Sequence, residues 1–150
     1  MTEQDKKEYF DVVDDNIKKF GYHLTFVFDN DSPSFCYSTG IYKNFNIPEI
    51  FISSLPKNLS FELIENYVNL FKETKSIPIN TKVDNLTNRF PIYFIDVSVS
   101  SLKDYILSTI RFYKSYEYKY LQIIFPDTQG YFPNDNGYYY DQEIMGEFIN

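Results

Sequence analysis

The sequence predicts an α+β fold, in which three helices accompany a mixed, mainly antiparallel sheet of about five to six strands. Three strand-like runs follow one another between residues 22 and 54, and this succession indicates a meander. Later strands alternate with amphipathic helices, which predicts connections across a mixed sheet. The chain has 150 residues. That length fits a single domain, residues 1–150, and can bury roughly 68–70% of its unfolded surface.

Residues 2–20 predict the first helix. Its apolar positions repeat at helical spacing: Phe10, Val13, Ile17 and Phe20. Thr2 and Asp5 match a capping box at the N-terminus, and Gly21 suits a left-handed C-terminal cap. Because the opposite face is almost entirely charged, we expect the apolar stripe to pack and the remaining face to be solvated.

Three strands are predicted next, at 22–28, 34–42 and 49–54. Turn-forming residues at 29–33 separate the first two, so we expect an antiparallel hairpin. In that hairpin, His23 lies opposite a position near residue 39. A polar loop at 43–47 leads to the third strand, which begins after Pro48.

The rest of the chain divides into alternating elements: a helix at 61–75, a polar segment at 76–89 with a short edge strand near 79–83, a strand at 91–99, a helix at 102–114, a strand at 119–125 and an acidic, aromatic tail at 138–150. Ser101 and Asp104 match a capping box that opens the third helix. The polar segment is the one that we expect to be most mobile, and it is a candidate lid.

The stretch 34–53 carries the most distinctive local pattern of the chain. Residues with large side chains alternate with residues that have small side chains or none, namely Ser34, Cys36, Ser38 and Gly40. A small face lets a packed helix, a neighbouring strand or a ligand approach the backbone closely. Glu49 stands where a polar loop meets an apolar strand. It is either a solvated strand end or a partly buried carboxylate with a functional role.

Composition limits the classes of partner and compartment. The formal net charge is −7 and no basic run is present, which argues against nucleic acid and against anionic membrane surfaces. No apolar run approaches the ~20 residues of a membrane span. The first residues lack the apolar region of a signal peptide, so we expect a cytoplasmic protein. Cys36 is the single cysteine, which excludes an internal disulfide.

Common catalytic patterns are missing from the sequence. Cys36 and His23 lie on adjacent predicted strands, but about three residues out of register, too far apart for direct activation of a nucleophile. Asn134 to Gly137 resembles a calcium loop but lacks its acid ladder, so it predicts a plain turn. The sequence contains no metal-ligand spacing, no glycine-rich phosphate loop and no G-x-S-x-G motif. We therefore predict no metal and no cofactor, and assign no catalytic residue.

Polar residues at strand ends remain as candidates. Our hypothesis is that some of them converge on one pocket at the C-terminal edges of the central strands, near the turn that begins at Asp127. The candidate ligand-binding residues are His23, Tyr37, Ser38, Thr39, Gly40, Glu49, Asp127 and Gln142.

Five short motifs follow one another in a characteristic order. They are Gly21-Tyr-His-Leu, Pro33-x-Phe-x-Tyr37-Ser-x-Gly40-Ile, Pro48-Glu49-Ile, Pro126-Asp127-x-x-Gly130-x-x-Pro133 and Gln142-x-Ile-Met-Gly146. In order and spacing, residues 15–147 resemble a bacterial family known as domain of unknown function 4262. The resemblance implies a small, single-domain cytoplasmic protein, and it supplies no activity, substrate or catalytic residue.

Three functional hypotheses follow. The first is a non-catalytic module that binds a ligand or a protein partner. In this hypothesis the module belongs to a bacterial conflict or defence system, and a homodimer is one form of assembly. The second is a small enzyme that acts on a nucleotide-like or ester substrate through the polar pocket at the strand ends. The third is a flavin-binding split barrel, and its only support is the early strand meander followed by a helix.

Overall fold

Five strands and four α-helices make up the fold of residues 2–148, which the computed structural model describes. The strands are β1 (His23–Asp29), β2 (Ser32–Thr39), β3 (Glu49–Ser53), β4 (Tyr93–Val97) and β5 (Tyr120–Ile124). The helices are α1 (Glu3–Phe20), α2 (Ile41–Phe45), α3 (Lys57–Phe71) and α4 (Leu107–Tyr113), and Val99–Leu102 forms a 3₁₀ helix. Residues 1, 149 and 150, which the predicted domain and tail include, lie outside the described part of the chain.

The sheet is mixed and mainly antiparallel, with the strand order β1-β2-β3-β5-β4. Among the strand pairs of residues 2–148, only that of β3 with β5 is parallel. The predicted α+β class and single domain are therefore confirmed. The sheet is open, with β1 and β4 at its edges. The described residues thus form no closed barrel, which is the architecture that the flavin-binding hypothesis requires.

The first hairpin has the predicted register. His23 pairs with Thr39, and the antiparallel ladder continues to Val27 and Phe35. A register shift between Val27 and Asp29 follows at the turn. Period-two alternation fixed this register, because a slip by one residue would turn each large side chain to the opposite face of the sheet.

Helix α1 begins and ends as predicted. The Thr2 hydroxyl accepts from the amide of Asp5, and the Asp5 carboxylate accepts from the amide of Thr2, each at 3.1 Å. Gly21 closes the helix in a left-handed conformation with φ of 92°. Phe20 departs from the predicted apolar stripe, since it lies at the helix end and is 67% exposed. No helix of residues 2–148 is both long enough and apolar enough to cross a membrane.

The chain leaves β2 earlier than the sequence predicts. The predicted strand 34–42 ends at Thr39, and residues 41–45, divided between that strand and the predicted loop, form α2. Gly40 makes the turn with φ of 108°, a left-handed conformation that favours glycine. A residue of the next strand stabilises this turn, because the Glu49 side chain accepts hydrogen bonds from its backbone amides.

The predicted helix 102–114 is wrong in its first part. Ser101 and Asp104 do not form a capping box. Instead, the Ser98 hydroxyl accepts from the amide of Ser101 at 3.2 Å and caps the 3₁₀ helix. Helix α4 begins only at Leu107. The intervening residues include buried apolar side chains. Their burial outweighs the local capping pattern and determines the path of the chain here.

Two boundaries around α3 also shift. The helix begins and ends earlier than the predicted range 61–75. The edge strand predicted near 79–83 is reduced to one bridge, between Val83 and Ile92. Val83 and Leu86 are buried in the apolar cluster beneath α3, so this polar segment is anchored to the core at both residues.

Helices cover both faces of the sheet. One face packs beneath α3, where Cys36 lies among the apolar residues of the core. The other face carries Tyr37, Phe51 and Tyr120 and packs against the segment that leads into α4. Helix α1 lies on this second face, where the Tyr9 hydroxyl is 3.3 Å from the Thr25 hydroxyl. The small side chain of Cys36 therefore serves helix-on-sheet packing.

Glutamine side chains attach the C-terminal segment to the sheet. Gln122 accepts from the amide of Met145 at 2.8 Å and donates to the carbonyl of Glu143 at 2.7 Å. Gln142 accepts from the amide of Phe125 at 3.1 Å and donates to its carbonyl at 2.8 Å. Both side chains thus reproduce the paired bonds of a strand, and the segment is part of the folded domain.

Gly146 tests this attachment. A Cβ atom at Gly146 would lie 2.3 Å from the carbonyl oxygen of Asp96, so Gly146→Ala has to displace backbone on one side or the other. We expect it to lower the free energy of unfolding by roughly 1–3 kcal/mol and to speed proteolysis of the C-terminal segment. Glu147→Ala, at the exposed next residue, is the control. Equal stability of the two variants in urea denaturation would contradict the close contact.

Candidate functional site

Glu49 is completely buried and its carboxylate faces five hydrogen-bond donors. Oε1 accepts from the Ser38 hydroxyl at 2.7 Å and from the amide of Ile41 at 3.2 Å. Oε2 accepts from the amides of Gly40 and Tyr42, at 3.0 and 3.1 Å, and from the Tyr113 hydroxyl. The interpretation of Glu49 as a solvated strand end is wrong, because none of the residue is exposed.

Three of these donors are consecutive backbone amides at the start of α2. The first amides of a helix have no partner within the helix, and here a carboxylate from a neighbouring strand accepts from them. The left-handed turn at Gly40 directs these amides towards β3. Glu49 thereby replaces the ordinary capping residue of α2, whose N-cap, Gly40, has no side chain to offer.

Burial and hydrogen bonding act in opposite directions on Glu49. Complete burial has the larger effect and raises the pKa of Glu49 above its ordinary value, whereas the hydroxyls of Tyr113 and Ser38 and the amides of Tyr42 and Gly40 lower it. Burial, followed by the nearby Glu49 charge, raises the pKa of Tyr113. The Tyr113 hydroxyl therefore keeps its proton and donates a hydrogen bond to Glu49. Glu49 is the acceptor in all five contacts, which is the arrangement that an ionised carboxylate requires.

Tyr37 and Thr39 join β2 to α4. The Tyr37 hydroxyl accepts from the amide of Ser108 at 3.2 Å, and the Thr39 hydroxyl lies 2.7 Å from that of Thr109. Tyr120 donates to the carbonyl of Ser38 at 2.6 Å. These side chains are buried, so the polar set at this end of β2 holds elements together beneath the surface.

His23 and Cys36 lie in different surroundings. The Nδ1 atom of His23 is 2.9 Å from the side-chain nitrogen of Asn16 on α1, and burial lowers the pKa of this histidine. Burial raises the pKa of the Cys36 thiol to about 12. A thiol of this kind is unreactive at neutral pH. No group of three or more His, Cys, Asp or Glu residues within 2–148 could hold a metal ion.

Asp127 and Gln142 lie at the opposite end of the sheet from Glu49. Glu49 pairs with Tyr120 at the start of β5, whereas Asp127 follows the end of that strand. The Asp127 carboxylate accepts from the amides of Gln129, Tyr131 and Tyr139, each at 2.9 Å. The candidate residues therefore do not converge on one pocket. Ser38, Gly40 and Glu49 form one cluster, and Asp127 organises a separate turn.

A surface groove opens beside the Glu49 cluster, between α1, α2 and α4. Its volume is about 610 Å³, within the range of roughly 300–1,000 Å³ that is usual for small-molecule sites. We call it the cationic groove. It is lined by Asp14, Ile17, Lys18, Phe20, Gly21, Lys43, Asn44, Phe45, Arg111, Phe112 and Lys114.

The charge of the cationic groove is opposite to that of the whole chain. Four cationic side chains and one carboxylate give its lining a formal charge of +3, against −7 for the protein. Arg111 donates to Asp14 at 2.7 Å and stacks on Phe10. Within residues 2–148, Lys18, Lys43 and Lys114 make no ion pair. The ends of α1 and α4 lie here too, and each contributes about −0.5, which leaves the groove positive.

Sequence reasoning missed these residues because they are far apart in the chain. Lys18 and Lys43 sit in separate elements, and Arg111 and Lys114 follow more than sixty residues later. No run of basic residues marks the groove. A cation in the last turn of each of α1, α2 and α4 is the only local signal, and taken singly it indicates compensation of the helix dipole.

Comparison with known proteins identifies the family. The family described as Domain of unknown function (DUF4262) matches residues 16–139, and the chain belongs to it. This confirms the resemblance drawn from the five motifs. No curated protein and no solved structure matches the chain.

Glu49→Gln tests the buried carboxylate at almost constant volume. Whichever way the amide lies, its NH₂ group faces at least one backbone amide of residues 40–42. We expect a loss of about 2–4 kcal/mol in the free energy of unfolding, because buried donors lose their acceptor. Glu73→Gln, on an exposed residue, is the control. A Glu49→Gln variant as stable as this control in chemical denaturation would refute the assigned role.

Asp127 gives a pH-dependent prediction. Burial alone would raise its pKa, but the amides of Tyr139, Tyr131, Gln129 and Gly130 outweigh it, and the pKa is lowered. A lowered pKa in the folded state contributes stability above the ordinary value near 4 and loses it as the pH falls through the lowered value. We expect Asp127→Asn to have a lower melting temperature than the wild type at neutral pH. The difference between the two melting temperatures should become smaller below about pH 4. A difference that widens on acidification would contradict this.

Proposed function

We propose that the protein is a non-catalytic binding module that takes a small anionic ligand in the cationic groove. The observation that carries the proposal is the convergence of Lys18, Lys43 and Lys114, none of them in an ion pair within the described residues, on one groove of an acidic chain. Arg111 adds a fourth cation that Asp14 partly neutralises.

The size of the ligand follows from the range of the electrostatic field. At physiological ionic strength, charges are screened beyond about 8 Å. A small anion in the groove therefore senses mainly the local positive charge, in which the side chains outweigh the helix ends. A nucleic acid or an acidic protein extends over the surrounding surface and meets the excess of carboxylates. The charge distribution supports a compact anion over a polyanion.

The environment of the polar candidate residues supports binding over catalysis. Tyr37, Thr39 and Glu49 are buried and hydrogen-bonded to neighbouring elements. The oxygens of Asp127 accept from backbone amides. An enzyme working through these four residues would need to expose them to substrate and break those bonds, which disfavours the esterase-like or nucleotide-directed alternative.

The cellular setting is part of the same proposal. We place the module in the bacterial cytoplasm, and the support is Cys36, a buried free thiol of a chain without a second cysteine, which suits a reducing compartment. A role in a conflict or defence system, and assembly as a homodimer, are predictions that gene neighbourhood and sedimentation analysis test respectively.

Lysine substitutions test the groove. We expect Lys43→Ala and Lys114→Ala each to weaken the binding of inorganic phosphate about fivefold, since an exposed charge pair contributes about 1 kcal/mol. The binding is measured by isothermal titration calorimetry at low ionic strength, and it should weaken as salt is added.

Lys103→Ala, at an exposed lysine outside the groove, is the matched control and should keep the wild-type affinity. Lysines that serve only the helix dipoles would give a different result, namely a lower melting temperature with unchanged phosphate binding. That result, or a wild-type protein that binds no phosphate, would remove the proposal.

A further inference from the structure

Phe20 is an apolar residue in an unexpected position. It continues the apolar stripe of α1, yet 67% of it is exposed, whereas Val13 and Ile17 of the same stripe are buried. Large exposed aromatic side chains mark binding surfaces when other apolar residues surround them. Phe20 has such neighbours, because it lines two grooves at once.

The second groove lies between the end of α1, the start of β1 and α3. Its volume is about 600 Å³. We call it the apolar groove, after the six apolar residues among the twelve that line it: Phe20, Tyr22, Leu24, Phe45, Phe61 and Val68. Phe20 and Phe45 also line the cationic groove. The two grooves are therefore adjacent and share a pair of aromatic walls.

Charge separates the roles of the two grooves. The apolar groove carries Lys57, Lys72 and Glu65 among its lining residues, a formal charge of +1, and His23 as a polar neighbour. The cationic groove carries +3. An anionic group is thus favoured in the cationic groove, and an apolar group gains most where the aromatic walls are.

We propose that the ligand is an anionic amphiphile of small size, a phosphate monoester or carboxylate that bears an unbranched apolar chain. Its anionic group lies among Lys18, Lys43 and Lys114, and its chain lies against Phe20 and Phe45 and extends into the apolar groove. This inference rests on the proposed function and specifies the ligand of that same site. The exposure of Phe20 then has a physical reason, since the bound chain covers it.

The alternative occupants fit the charges less well. A membrane surface rich in anionic lipid would meet the acidic remainder of a −7 chain as well as the groove, and repulsion of that kind weakens surface binding. A free amphiphile presents one anionic group only, and it fits inside the grooves without touching the acidic surface.

A homologous series of anions tests the inference. Inorganic phosphate and then ethyl, butyl, hexyl and octyl phosphate, each below its micelle-forming concentration, are titrated into the wild type. We expect the affinity to rise with chain length, by up to about fourfold for each buried methylene group. Phe20→Ala should flatten the series, so that octyl phosphate binds little better than inorganic phosphate does. Lys43→Ala should weaken every member by the same factor.

Phe28→Ala is the matched control, because Phe28 is 71% exposed and lines neither groove. It should leave the whole series unchanged. Phosphate binding without dependence on chain length would overturn the inference and leave the proposed function standing. Failure of phosphate and of all alkyl phosphates would remove both. Binding to vesicles that contain phosphatidylserine, together with no binding of hexyl phosphate, would overturn it in favour of a membrane surface.

Discussion

The carboxylate of Glu49 is the constraint on which the local architecture depends. It sits in the protein interior, where an isolated charge is costly, and five donors from β2, α2 and α4 compensate for that cost. The arrangement explains why the chain turns at Gly40 rather than continuing as a strand. A five-residue helix has little stability of its own, so α2 exists because an acceptor on β3 holds its first amides.

The same contacts shape the surface above them. Tyr113 donates to Glu49 and accepts from the amide of Lys43 at 3.2 Å, which ties the end of α4 to the middle of α2. Lys43 and Lys114, on the two sides of the cationic groove, are therefore anchored to one buried group. A backbone that is already held in place beneath the lysines reduces the entropy lost on binding an anion. The buried cluster thus contributes to the groove without touching its contents.

Sequence patterns succeeded where the determining contacts are local. The capping box of Thr2 and Asp5 spans one helical turn, and the hairpin register follows from alternation on adjacent strands, so the fold class and α1 were predictable. Helix α2 was not, because its N-terminal amides are capped by a residue nine positions ahead in another element. The cationic groove could not be predicted from the sequence either, since only the folded topology brings α1, α2 and α4 together.

The five sequence motifs and the residues that line the cationic groove are largely different sets. Gly40 and Glu49 build the α2 turn, Asp127 organises the turn after β5, and Gly146 lets the C-terminal segment approach β4. Each has a structural role in this chain. The groove lysines lie outside the five motifs. A scaffold fixed by buried polar contacts can carry different charges along one groove without altering its fold. The ligand site proposed above therefore depends on charged residues of α1, α2 and α4, whereas the motif residues hold the scaffold beneath it.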